Sequence, residues 1–541
     1  MRNQILLFLF AMAIFSGGSR NARADEALAK LDGDTIGKFH FVGIDRIAAD
    51  PKATKLKELG ALPETAVLRD NLMAKAASAP FRLLEHKLYG QNKNSYTNLL
   101  ESLLNDLLHN ESYTEVRGPT NAVPELLLAV QLNNARAAAW ETNLATILAA
   151  WTGISVQPIR GEGFTGWELK KHHDPNVIRY LRAGDWALFG WGWEDLRLQP
   201  RFLQLIKQKR LTANFPKDDW MDAVLDFPAY QASHTMDLPS LLPAKLPKMH
   251  LAVEGRKDYI RPTLVMSYPA PLGITLEPWK IPTNAIPNTI VSFTAARGLA
   301  SWLGQVPEMK PLRANPVPNQ FTTWAVDKVP FETHLSIPVP MASNYLAHIA
   351  PGLMAELNAS LSKRAVPGEA VWTNNEVMIR QIPFLAPYLR AIHDPTGDYL
   401  FGGLFPSRLQ PGAKPVPPEL MREIASKPKL LYYDWEINQA RADQWQNIMQ
   451  VYLIASTLPM PRGDLSAQKW IRAAGKLMGN CGTEISLTAP NELTLVRNSP
   501  IGLTGFEMNV LEYWLDSPEF PLHAIYPHIS SRPGMFPPAA H

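Results

Sequence analysis

Leu430-Leu431-Tyr432-Tyr433-Asp434-Trp435-Glu436 is a short apolar and aromatic run that passes, with no proline between, into the helical spacing of Trp445, Met449 and Leu453. A strand-like run followed by residues three to four apart reads as one strand leading into one amphipathic helix. The same grammar recurs along the chain. Phe39 to Gly43 precedes Leu56 and Leu59 and stops at Pro63, and Ala187 to Trp191 precedes Phe202, Leu203 and Ile206. Thr289 to Phe293 precedes Leu299, Trp302 and Leu303 ahead of Pro307, and Glu492 to Val496 precedes Phe506, Val510, Trp514 and Leu515 ahead of Pro518. The five starts share no period, which argues against a solenoid.

Further strands are expected at residues 154–159, 249–253, 262–266 and 272–276, with 249–253 and 262–266 forming an antiparallel pair. The part of the chain before them reads as helical. Leu99, Leu100, Leu103, Leu104, Leu107 and Leu108 draw one apolar stripe, and residues 124–150 continue in alanine and leucine. The fold class expected is therefore α+β, with irregularly repeated strand-helix units and antiparallel sheet, preceded by a helix-rich N-terminal region.

Residues 1–24 carry an early Arg2, an apolar run from Ile5 to Phe15 and the small-residue site Ala22-Arg23-Ala24. That order is a secretory signal, so the working chain is expected to begin at Asp25 in the periplasm or outside the cell. The apolar run is shorter than the roughly 20 residues that span a bilayer, and no later segment reaches about 18 uninterrupted apolar residues. No transmembrane segment is expected after cleavage. The 47 prolines cluster at residues 238–247, 307–318 and 406–418, which mark candidate connections. The organisation expected is a signal peptide (1–24), a helix-rich α+β domain (25–240), a domain of repeated strand-helix units (241–522) and a proline-rich tail (523–541).

The full chain holds 53 basic and 50 acidic residues, and removal of Arg2, Arg20 and Arg23 with the leader makes the two equal. No basic stripe is left for a phosphate backbone, so nucleic acid is not an expected partner. The single cysteine, Cys481, cannot make an intramolecular disulfide and reads as a small buried residue.

Each chemical constellation has a plain alternative. Gly161-Glu162-Gly163-Phe164-Thr165-Gly166 matches a dinucleotide fingerprint, but Pro175 leaves too little chain for the helix that would hold a pyrophosphate, and a glycine-rich loop is the better reading. Glu168, His172, His173 and Asp174 form the densest set of potential metal ligands, although the adjacent histidines would diverge and Lys170 and Lys171 oppose a cation. Ser360-Leu361-Ser362-Lys363 and Ser466-Ala467-Gln468-Lys469 both fit a serine-lysine spacing without the companion motifs of acyl-serine enzymes.

Asp434 and Glu436 are the best carboxylate pair, on one strand face with Arg441 following. They suit either acid-base division in sugar cleavage or helix capping with an ion pair to Arg441. Trp191 and Trp193, in Gly190-Trp191-Gly192-Trp193-Glu194-Asp195, share a strand face and make a candidate platform for a flat amphipathic ligand, with Asp195 as a third candidate acid. The expectation is an exported, non-catalytic binding or scaffold protein of a bacterial envelope, with an envelope protein or polymer as partner and no cofactor. The alternative is a polysaccharide hydrolase using Asp434, Glu436 and Asp195.

Overall fold

Alternating apolar runs bounded by turns form the strands, and leucine or alanine stripes form the helices, in this computed structural model. The structure describes residues 35–83, 93–118, 124–171, 175–193, 196–212, 215–216, 218–233, 246–286, 290–306, 314–327, 332–363, 366–382, 385–405, 418–455, 465–518 and 520–521. The leader at 1–24, the tail at 523–541 and most of each proline-rich stretch lie outside the described residues. The fold is mixed α+β, with twenty strands among the described residues in antiparallel pairing interspersed with helices.

The chain enters through β1 (Thr35–Phe41), α1 (Ile44–Ala49), α2 (Thr54–Gly60), α3 (Pro63–Leu83) and α4 (Lys93–His109), then β2 (Ser112–Arg117) and β3 (Glu125–Gln131). There follow α5 (Asn134–Thr152), β4 (Gln157–Gly161), β5 (Phe164–Lys170), β6 (Asn176–Ala183) and β7 (Trp186–Trp193). After them come α6 (Leu198–Lys207), β8 (Asp219–Asp226), α7 (Phe227–Ser233), β9 (Lys248–Gly255) and β10 (Ile260–Ser267). The next stretch holds β11 (Ile290–Arg297), α8 (Ala300–Leu303), β12 (Gln320–Val326), β13 (Thr333–Pro338) and α9 (Ala342–Lys363). It continues with β14 (Glu369–Thr373), β15 (Glu376–Arg380), β16 (Tyr388–Asp394), β17 (Gly397–Gly403), α10 (Pro418–Ala425), β18 (Leu430–Ile437) and α11 (Asn438–Ala455). The chain closes with α12 (Ser466–Gly475), β19 (Asn480–Ala489), β20 (Glu492–Asn498) and α13 (Gly505–Asp516).

These elements sort into two compact units. The first holds the described residues up to 272 with those of 466–503, 518 and 520–521, and the second holds the described residues of 273–465 and 504–517. Strand order in the first unit is β4-β5-β6-β7-β3-β2-β1-β8-β9-β10-β20-β19. The expected pairing of 249–253 with 262–266 is the β9–β10 pair. One face of this sheet packs Leu103, Trp140 and Leu148 of α4 and α5 against Trp167 and Tyr180. The other face packs Leu198 and Phe202 of α6 against Tyr113, Leu127 and Leu188.

Strand order in the second unit is β14-β15-β16-β17-β13-β12-β11-β18. Tyr345, Leu346 and Ile349 of α9 cover one face, and Leu420 and Ile424 of α10 cover the other over Phe293, Trp324 and Phe401.

Two local expectations fail for physical reasons. Residues 125–131 are a strand, not the start of a helix, because β3 lies between β2 and β7 with apolar cover on both faces, so its sequence is a continuous apolar run without alternation. The helix starts only at Asn134, where Asn133 Oδ1 accepts a hydrogen bond from the Arg136 amide at 2.9 Å. Residues 272–276 form no strand; they run between Pro271 and Pro278, which have no amide to give a ladder.

Candidate functional site

Asp434 and Glu436 point to one face of β18, and Trp435 points to the other, where it packs against the core under α10. Both carboxylates are buried. Asp434 Oδ1 accepts from Thr294 Oγ1 at 2.6 Å, directly across the β11–β18 ladder. Glu436 Oε1 accepts from the amide of Gly505, the first residue of α13, where an unpaired helix donor and the positive end of the helix dipole coincide. The neighbouring Thr504 and Glu507 complete a capping box at the same helix start.

Arg441 on α11 lies behind these acids. Burial lowers its pKa, and the negative charges of Glu436 and Asp434 oppose that shift. Its guanidinium lies 5.0 Å from the centroid of the Trp445 ring, and Nη1 donates to Gln444 Oε1 at 2.9 Å. The helix capped from this strand end is therefore α13, more than sixty residues downstream, and the capping carboxylate is that of Glu436.

Trp191 and Trp193 share one face of β7. Trp191 stands opposite Leu126 and Ile178 and is half-buried; Trp193 stands opposite Asn176 and is 39% exposed. The glycines that precede each of them, Gly190 and Gly192, serve the opposite face. A Cβ on Gly190 would meet Leu127 and Leu196 at 3.3 Å, and one on Gly192 would meet Leu196 at 3.0 Å and the Glu125 backbone at 3.2 Å. They admit Leu196 and the start of α6 against the sheet and do not make room for the indoles.

Gly161 to Gly166 spans a β-hairpin. Glu162 and Gly163 form the two-residue turn between β4 and β5, with Gly163 at φ 79°. Glu168 lies on β5 and pairs with Arg179 directly opposite on β6. His172, His173 and Asp174 lie outside the described residues, as does Asp195. Among the described residues, no cluster of three His, Cys, Asp or Glu side chains is placed to hold a metal. Ser360 and Lys363 end α9, while Ser466 opens α12, buried and accepting from Asn71 Nδ2 at 3.0 Å. Cys481 is buried. No helix among the described residues is long and apolar enough to cross a membrane.

A second buried polar assembly lies in the first unit beneath α6. Glu115 accepts from Thr35 Oγ1 at 3.3 Å, from the Tyr113 hydroxyl at 3.0 Å and from Arg201. Burial raises the Tyr113 pKa well above its ordinary value, and the Glu115 charge raises it further. On adjoining strands Asp222 pairs with His250 at 2.7 Å, and Glu111, just ahead of β2, pairs with His40 of β1 at 2.8 Å.

A concavity that carries uncommitted polar groups lies elsewhere in the first unit. A groove of about 650 Å³ runs between α3 and α4 and ends against the first turn of α5. Its end is built by Asp106, which is buried and holds Arg136 through contacts of 2.6 Å to Nη2 and 3.0 Å to Nε. Asp106 also accepts from Trp140 Nε1 at 2.8 Å, and Arg136 Nη2 donates to Ser102 Oγ at 2.7 Å. Along its wall stand Asn98, Glu101 and Asn105, whose side chains make no hydrogen bond or ion pair to any described residue. Sequence reading missed this place. Its one signal is Asp106, an acid embedded in the leucine stripe of α4. No family model, curated protein or solved structure matches the chain.

Proposed function

We propose that this is an exported envelope protein that binds and does not cleave, with the groove along α3, α4 and α5 as its binding site. The observation that carries the reading is a contrast in commitment. Asp434 and Glu436 accept hydrogen bonds from Thr294 and from the start of α13, whereas Asn98, Glu101 and Asn105 line an open groove with their hydrogen-bonding capacity intact. A polysaccharide hydrolase would need one of those strand carboxylates to face another across roughly 5 to 9 Å of substrate space.

Eight strands of the first unit and the eight of the second read as two copies of one arrangement. β4-β5-β6-β7-β3-β2-β1-β8 and β14-β15-β16-β17-β13-β12-β11-β18 follow the same order. In each a helix after the third strand covers one face, α5 or α9, and a helix after the seventh covers the other, α6 or α10. Native mass spectrometry of the protein recovered from its own envelope fraction tests the reading. The expected mass runs from Asp25 to His541 and includes a retained partner that an Asn98→Ala/Asn105→Ala variant loses. A mass that includes residues 1–24, or equal retention by the variant, would contradict it.

A further inference from the structure

We propose that the groove takes a neutral polyhydroxylated ligand, a short stretch of glycan chain, which deepens and rests on the binding reading above. Asn98, Glu101, Ser102 and Asn105 fall at steps of three, one and three residues on α4, so they form one stripe down a single helix face. Seven residues of helix rise about 10 Å, enough to contact successive units of an extended polymer.

The chemistry of the stripe is mixed at every step. Each asparagine amide offers donors and an acceptor, Ser102 offers a hydroxyl, and Glu101 offers acceptors only. Arg136 Nη1, at the closed end, donates to no described residue. A ligand answering this row must donate and accept within short distances, which is what neighbouring sugar hydroxyls do.

Charge and apolar content exclude the competitors. Arg69 is paired with Asp70 at 2.8 Å and Arg136 with Asp106 at 2.6 Å, so Glu101 is the uncompensated charge of the wall. A phosphate backbone or other polyanion finds no net positive field here. Among the described residues Met73 is the one apolar side chain lining the groove, so a peptide would find no pocket there for the aromatic or aliphatic anchors that dominate peptide and protein binding. The row is also held in place. The Asp106 contacts to Arg136 and Trp140 tie α4 to the first turns of α5, which fixes the closed end of the site before a ligand arrives.

The test is isothermal titration of the full mature chain with two neutral probes, a tetrasaccharide of glucose and one of N-acetylglucosamine, with a lysine-rich decapeptide as the rival class. Expected is saturable binding of at least one tetrasaccharide, weakened at least about tenfold by Asn105→Ala and by Glu101→Gln at unchanged melting temperature. Asn98→Ala provides a third reading if either variant fails to fold. Saccharide binding that survives all three substitutions would overturn the proposal, as would binding of the decapeptide alone or of neither class. Capture on an envelope fraction separates the two levels. If groove variants abolish capture while neither tetrasaccharide binds, the ligand class fails and the groove stands; if they leave capture intact, the binding reading itself fails.

Discussion

The β18 strand end in the second unit and the α4 wall in the first display the same kinds of residue, acids beside amides with an arginine close by, and use them in opposite ways. Asp434 and Glu436 are buried, and their oxygens receive a strand neighbour's hydroxyl and a helix's first amide. On α4 the division falls within one helix: Asp106 is committed to Arg136 and Trp140, while Asn98, Glu101 and Asn105 are not. Residue type therefore does not separate committed from uncommitted polar groups here. The separating quantity is how much hydrogen-bonding capacity the fold already uses, since a buried acceptor that loses its donor costs more than a surface group that never had one.

Substitutions can break or sharpen this contrast. Asp106→Ala is expected to have the largest effect, a loss of about 3 kcal/mol in denaturant unfolding, because it strands Arg136 and the Trp140 indole together. Its loss should also remove groove binding. Glu436→Ala is expected to cost about 2 kcal/mol by depriving the α13 N-terminus of its carboxylate acceptor, with binding in the first unit unchanged. If Glu436→Ala instead left the melting temperature alone, its carboxylate would be as available as those in the groove.

Tyr113→Phe tests a third committed group at about 1 kcal/mol near neutral pH. It also carries a pH signature. The folded pKa lies above the ordinary value of 10.0, so the unfolded chain ionises first and stability falls as pH rises beyond about 10. A stability profile measured from pH 8 to 11 should show that alkaline decline, flattened in the phenylalanine variant. Smallest of all, Asn98→Ala and Asn105→Ala are expected to shift unfolding by no more than about 0.5 kcal/mol. A larger loss at either position would move that residue to the structural side of the comparison.

The sequence carried the local half of this picture. Leucines 99 to 108 specify α4 because their stripe is a property of neighbours three and four apart, and the 430–453 run specifies β18 followed by α11 for the same reason. β3 was illegible because a strand covered on both faces loses the alternation that identifies strands. The role of Glu436 was illegible because its donor, Gly505, arrives from sixty-nine residues away. The groove was illegible for a related reason. Asn98, Glu101 and Asn105 look like the solvated side of an amphipathic helix, and they become a wall only when α3 packs alongside. Asp106 among leucines was the readable clue, a charged group at a position that demands a partner.

The most direct measurement of the proposed binding is capture of the protein on an envelope fraction, comparing the wild type with Asn98→Ala/Asn105→Ala and with Asp434→Asn. The groove variant is predicted to lose at least about tenfold in binding at an unchanged melting temperature, while Asp434→Asn binds as the wild type does. Full binding by the groove variant, or loss of binding by a folded Asp434→Asn protein, would contradict the account.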